Sequence, residues 1–156
     1  MKEFTLFYQN RSPFSNWYPS KFFWQGIPFT RGEQYMMWRK AMLFNDHDVA
    51  RLIMLTDNPK EHKDLGRRVS NYDDSVWAAA RYDVMVDGLY CKFSQNEKLK
   101  DALLETGDTI IAEASPTDLI WGIGYTADRP EAMDMTKWRG RNLLGQVLME
   151  VRSMLM

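Results

Sequence analysis

Apolar residues cluster in short β-forming runs near the start of this chain and recur at helical spacing through its middle and end. Thr5-Leu6-Phe7-Tyr8 reads as a strand, because aromatic and β-branched residues dominate it. Ser12 to Ser20 carries two prolines and reads as loop. Phe22, Phe23 and Trp24 stand before Gly26 and Phe29, which predicts a hairpin over 21–29 that turns at the glycine. Helical patterning then takes over. Gly32 to Phe44 holds good helix formers and no proline. Val49, Leu52, Ile53 and Leu55 form one helical face between Asp46 and Thr56. Asn58-Pro59 supplies an N-cap and a proline at the first helical position, opening a helix toward Gly66. Trp77, Ala80, Arg81, Val84 and Met85 keep helical spacing in the longest segment, Asp74 to Phe93. Asn96 caps a further helix that Gly107 ends. Thr109-Ile110-Ile111-Ala112 reads as a strand, and a last helix runs from Asn142 to Leu155.

Strands come first, helices next, then one strand and a closing helix. That order lacks the βαβα alternation of a doubly wound parallel sheet. It predicts an α+β fold: a single compact, helix-dominated domain with a few short strands. The 156 residues suit one domain, no linker interrupts 1–156, and 45% hydrophobic residues supply a core.

Charge narrows the functional classes. With 20 basic and 21 acidic residues the net charge is -1, so no global field draws the chain to nucleic acid. Cys91 is the one cysteine, so no internal disulfide forms, which suits a cytoplasmic protein. Met1-Lys2-Glu3-Phe4 has an early acid and no apolar run, unlike a signal peptide. No apolar stretch approaches the ~20 residues of a membrane span. His47 and His62 have no carboxylate or cysteine cluster around them, so no metal site is expected. No Rossmann or Walker glycine loop is present. The eleven methionines suit core gaps.

Several residues carry two readings each. Thr30-Arg31-Gly32-Glu33 fits a capping box, with Glu33 serving a backbone N–H, yet Glu33 shares a helical face with Met37 and Lys40 and can present an acid to a cavity. Ser115-Pro116-Thr117-Asp118 likewise fits a capping box, while Asp118 stands beside Trp121, Gly122 and Gly124, a carboxylate next to a flat apolar wall and two residues without Cβ atoms. Trp77 and Arg81 lie one helical turn apart, spaced either for a core or for stacking a base beside a phosphate. Lys40, Arg67 and Arg81 are either solvated, snorkelling cations or phosphate contacts. Asn16 is a turn residue or a ribose or base partner. Asn142 is the last helix's N-cap or a ligand contact, and Gly145 permits close helix packing.

The blocks Phe14-Ser15-Asn16-Trp17-Tyr18-Pro19, Glu33-Gln34-Tyr35-Met36-Met37 with Lys40-Ala41, Ala114 to Gly124, and Trp138-Arg139-Gly140-Arg141-Asn142-Leu143-Leu144-Gly145 fall in an order and spacing that resembles the NADAR family, also called YbiA-like. Trp77, Arg81, Val84-Met85, Lys92-Phe93, Gln95-Asn96 and Thr106-Gly107-Asp108 extend the resemblance, which spans Phe7 to Arg152. Gln34 departs from relatives that carry histidine there.

The resemblance implies hydrolysis of a ribose C1′–N bond without metal or redox cofactor. It makes Glu33 the catalytic carboxylate and Asp118 a second acid or ribose-hydroxyl acceptor. Trp77 or Trp121 would stack the base, and Asn16, Lys40, Arg67, Arg81, Gly122 and Asn142 would complete substrate binding. The implied substrate is a phosphoribosylamino-pyrimidine intermediate of riboflavin biosynthesis. One alternative is ADP-ribose linked to guanine, with nucleic acid a partner only as that modified substrate. Another is a non-catalytic ADP-ribose or nucleotide-binding module. No membrane partner is implied.

Overall fold

The computed structural model describes residues 2–156. Strand β1 (Phe4–Phe7) leads into an irregular segment, then a hairpin of β2 (Phe22–Trp24) and β3 (Ile27–Phe29). Gln25 and Gly26 join the two with φ of 49° and 79°, the left-handed pair that a two-residue hairpin turn requires. Five helices follow: α1 (Gly32–Leu43), α2 (His47–Met54), α3 (Pro59–Gly66), α4 (Asp74–Ser94) and α5 (Glu97–Glu105). Then come β4 (Ile110–Glu113), a long irregular segment with two short 3-10 turns at Pro130–Met133 and Met135–Lys137, and α6 (Leu143–Leu155). Among the described residues helix predominates over four short strands, an α+β domain.

Strand β4 returns to lie parallel to β1, in the register Phe4 to Ile110 through Phe7 to Glu113. The hairpin forms a separate antiparallel pair. Helix α1 is the hub, packed on α2, α3 and α4, while α6 lies on α4 and β4. Tyr35 of α1 is fully buried, and its hydroxyl donates to the Val84 carbonyl of α4 at 2.7 Å. A Cβ on Gly145 would collide with the Ile111 carbonyl, so that glycine lets α6 lie directly on β4. Asp46 and Asn58 cap α2 and α3 through Val49 N and Lys60 N.

The irregular segment between β4 and α6 is pinned by backbone hydrogen bonds. Ile123 N donates to Glu113 O at 2.9 Å, Arg141 N to Leu119 O at 2.8 Å, and Asn142 N to Gly122 O at 3.0 Å. Its start therefore stays fixed beside the carboxyl ends of β1 and β4. Ligands in sheets of parallel strands commonly sit at that end. Among the described residues no helix is long and apolar enough to cross a membrane.

Candidate active site

A cavity of about 470 Å³ opens at the carboxyl ends of β1 and β4. Tyr8 and Gln9 extend from β1, Glu113 ends β4, and Ser115, Thr117, Asp118 and Trp121 come from the segment beyond it. Ser15, Asn16 and Trp17 form another side; Glu33, Met36, Met37 and Lys40 come from α1, and Lys63, Gly66 and Arg67 from the end of α3. The space falls within the usual range of small-molecule sites.

Glu33 sits in the first turn of α1 and is only 6% exposed. Its Oε1 accepts from the Trp17 indole Nε1 at 2.9 Å. The capping alternative for Glu33 does not form: no side chain caps α1, and the Thr30 backbone N–H instead donates to Gln34 Oε1 at 2.8 Å. Gln34 Nε2 donates in turn to the Ile53 and Thr56 carbonyls. The glutamine thus ties α1 to the end of α2 and leaves Glu33 to the cavity. Burial pushes Glu33 up to about 7 from its ordinary 4.5. The Trp17 hydrogen bond and the Lys63 and Lys40 charges pull it back down, and Asp118 pushes it up.

Glu113 shares this wall. Its backbone N–H donates to Asn142 Oδ1 at 3.1 Å, and its side chain has no hydrogen-bond partner among the described residues. Burial pushes it up to about 8, with the Asp118 and Glu33 charges adding to the rise and Lys63 opposing it. Asp118 is the third carboxyl. Ser115 Oγ accepts from Thr117 N and Asp118 N as a cap would, but no helix follows. The expected helix start is a chain of turns in which Asp118 Oδ1 accepts from Ile120 N at 3.0 Å and Trp121 N at 2.8 Å. These carboxyls do not make a metal cage: among the described residues no group of three or more His, Cys, Asp or Glu is placed to hold an ion.

A cationic rim, Lys40, Lys63 and Arg67, belongs to the same lining. Lys63 and Arg67 stand four residues apart at the end of α3, both exposed. Lys40 lies with its ammonium 4.5 Å from the centre of the Tyr72 ring, and burial together with Arg67 lowers its pKa. Asn16 completes the lining: its backbone carbonyl accepts from Glu33 N at 2.9 Å, while its buried side-chain Oδ1 has no partner among the described residues.

The structure thus brings Asn16, Glu33, Lys40, Arg67, Asp118 and Trp121 to one cavity. Trp77, Arg81, Gly122 and Asn142 lie outside its lining. Trp77 is packed in the main hydrophobic core. Arg81, one turn further along α4, is buried with its Nε unpartnered among the described residues. A Cβ on Gly122 would stand 3.0 Å from the Glu113 carbonyl, so that glycine serves the packing of the loop on β4. Asn142 precedes α6 with φ of 52°, and its side chain caps no helix N–H. It donates instead to Ile111 O at 3.0 Å and accepts from Glu113 N, clamping β4. Sequence reading missed Trp17, Lys63 and Glu113 as site residues. For Glu113 a signal exists: it shares strand parity with the buried Ile111, and an acid on an inward-facing position is unusual.

The NADAR domain family matches residues 6–156. The chain belongs to this family. An N-glycosidase of Acanthamoeba polyphaga mimivirus is 44% identical over 144 residues, which is 89% of this chain and 85% of that protein. The riboflavin biosynthesis protein PYRR of Zea mays is 34% identical over 110 residues, 68% of this chain but 16% of that much longer protein. The NMR structure of the E. coli protein YbiA superposes with a TM-score of 0.80 at 26% identity, over 99% of this chain and 86% of that one. The likeness therefore extends through the whole NADAR domain, including both strands and the helices that frame the cavity.

Proposed function

We propose that this NADAR domain is a hydrolase of N-glycosyl compounds that cleaves the ribose C1′–N bond of a phosphoribosylamino-pyrimidine, the early intermediate of riboflavin biosynthesis. The observation that carries the reading is a buried, titratable Glu33 among three carboxyls and three cations that line one cavity. The relatives named N-glycosidase and riboflavin biosynthesis protein support the reaction class and its pathway.

Breaking a ribose C1′–N bond builds positive charge on the sugar. A fixed carboxylate in a desolvated site stabilises that charge more than it would in water. Glu33 supplies it and also takes the proton of the attacking water. Near pH 7 Glu33 is close to half ionised, which matches a general base to neutral conditions. Asp118 accepts from ribose hydroxyls, and the unpartnered Oδ1 of Asn16 takes a further ligand N–H or O–H. Trp121 offers the apolar face for a base. Lys40, Lys63 and Arg67 hold the phosphate, away from the breaking bond, so that its binding orients the sugar. The same reading takes the cytoplasm as the compartment, where Cys91 stays a free thiol.

A side-by-side turnover assay followed by mass spectrometry tests this. One reaction holds the phosphoribosylamino-pyrimidine, and the other a short oligonucleotide carrying ADP-ribose on guanine. Ribose 5-phosphate released in the first alone supports the proposal. ADP-ribose released in the second alone replaces it with reversal of a nucleic-acid modification. Binding of ADP-ribose without turnover in either makes the domain a binding module.

A further inference from the structure

Among the described residues, Glu113 is the one wall carboxyl whose side chain has no hydrogen-bond partner. Asp118 already accepts two backbone N–H groups on one oxygen, and Glu33 accepts the Trp17 indole. The Glu113 side chain accepts nothing, yet its backbone is held on both sides, by Asn142 at its N–H and by Ile123 at its carbonyl. A carboxyl placed rigidly, desolvated and left free of hydrogen bonds is suited to holding a proton that it later gives away. Of the charged groups in the lining, Glu33 from α1, Asp118 from the loop and Lys63 from α3 act on it, while Lys40 and Arg67 also line the cavity. Two of the three are acids, so proton retention is favoured on Glu113.

We propose that Glu113 is the general acid of the reaction, protonating the nitrogen that leaves C1′. This rests on the N-riboside reading above. The C1′–N bond breaks with its electron pair passing to nitrogen, and nitrogen takes the Glu113 proton. A water oxygen bonds to C1′ and gives its proton to the Glu33 carboxylate. Glu113 ends ionised and Glu33 protonated, and exchange with solvent restores both. The division of labour follows from the wall. Burial lifts both carboxyls, but only Glu33 accepts the Trp17 N–H, which favours its ionised form, so the proton is retained on Glu113. The carboxyls are close enough to influence each other, so the two limbs of a pH profile belong to the pair.

The experiment is the pH dependence of kcat and KM on the phosphoribosylamino-pyrimidine for wild type, Glu113→Gln and Glu113→Asp, each checked for folding by circular dichroism. Wild type is expected to give a bell, rising as Glu33 loses its proton and falling as Glu113 does. Glu113→Gln keeps the shape and cannot give the proton, so kcat drops about 100-fold or more and the alkaline fall disappears. Its KM stays within about threefold of wild type, because the loss falls on the chemical step. Glu113→Asp retains an acid and therefore an alkaline fall. A Glu113→Gln kcat within about threefold of wild type, or one that still falls at alkaline pH, overturns the proposal. If Glu113→Gln fails to fold, a wild-type or Glu113→Asp profile without an alkaline fall overturns it, and an alkaline fall in both supports it. A wild type without turnover sinks the N-riboside reading and this inference with it. An active wild type with an unaltered Glu113→Gln sinks the inference alone.

Discussion

The acids and the cations that line the cavity are held in different settings. Among the acids Glu33 is buried, Glu113 and Asp118 are half-buried, and burial is the largest influence on both Glu33 and Glu113. The basic rim is wet: Lys63 and Arg67 are exposed, and Arg67 lies 3.8 Å from Asp64 on its own helix. A charge in the wall acts through low dielectric and is costly to hold, whereas a charge on the rim is screened by salt and costs little. On the proposed reading the wall carries the bond-breaking chemistry, and the rim gathers and orients a distant charged group. Substitutions on the wall should change kcat and pH dependence; those on the rim should change KM and salt dependence.

The largest effect is expected at Glu33. Glu33→Gln retains the shape and the means to accept from Trp17, but removes the base and the negative charge. Its kcat should fall about 100- to 10,000-fold with the circular dichroism spectrum unchanged. Turnover like that of wild type would remove Glu33 from the chemistry. A smaller and more diagnostic effect is expected at Trp17, whose N–H lowers the Glu33 pKa. Trp17→Phe deletes that donor, so Glu33 titrates higher and the acid-side limb of kcat/KM moves to higher pH. A shift of about one pH unit, hence about tenfold less activity near pH 6, is the expected size for a lost hydrogen bond to a charged group. Activity should recover at higher pH. An unmoved limb would mean that the limb does not report Glu33.

The local parts of this arrangement were legible in the sequence, and the convergent parts were not. Helix α3 begins at Pro59, as Asn58-Pro59 predicts, and the hairpin turns at Gly26. Those features rest on capping and turn chemistry within a few residues. Glu113 was missed because the strand was read to end at Ala112, one residue before the acid. What gives Glu113 its character is the approach of α1, α3 and the loop at Asp118, none of them near it in sequence. Trp17 carries no role in the sequence reading, because nothing local shows that its indole reaches Glu33, sixteen residues on. The helical spacing of Trp77 and Arg81 is that of a buried face as much as of a stacking site; both are buried, Trp77 in the hydrophobic core. Asn142 was read as a helix cap or ligand contact. Its left-handed backbone turns the amide back onto β4 instead.

On the rim the expected effects are smaller. Arg67→Ala should raise KM for the phosphoribosylamino-pyrimidine by about three- to tenfold and leave kcat nearly unchanged, since an exposed cation contributes modestly and acts away from the bond. The KM of wild type should rise with added salt, and that dependence should weaken in the variant. A kcat loss matching that of Glu33→Gln would erase the distinction between the wall and the rim.

The smallest effect tests what the wall costs the fold. Between the ordinary 4.5 and the folded value near 7 or 8, the folded chain retains protons on Glu33 and Glu113 that the unfolded chain has lost. Stability from these groups is therefore highest below pH 4.5 and falls as pH rises through 7 and 8. Glu113→Gln should raise Tm above wild type at about pH 8 and converge with it near 4.5, at about 2–4 °C per kcal/mol relieved. Lys92 supplies a control of opposite sign. It is fully buried, donates to Ser15 O at 3.1 Å, and burial lowers it from 10.5 to about 7. Here the unfolded chain holds the proton that the folded chain has lost, so stability rises with pH between those two values. Lys92→Met should thus gain most relative to wild type below pH 7 and least above 10.5. If Glu113→Gln instead lowers Tm equally at every pH, the carboxyl is held by contacts rather than strained by burial, and the wall loses the property that sets it apart from the rim.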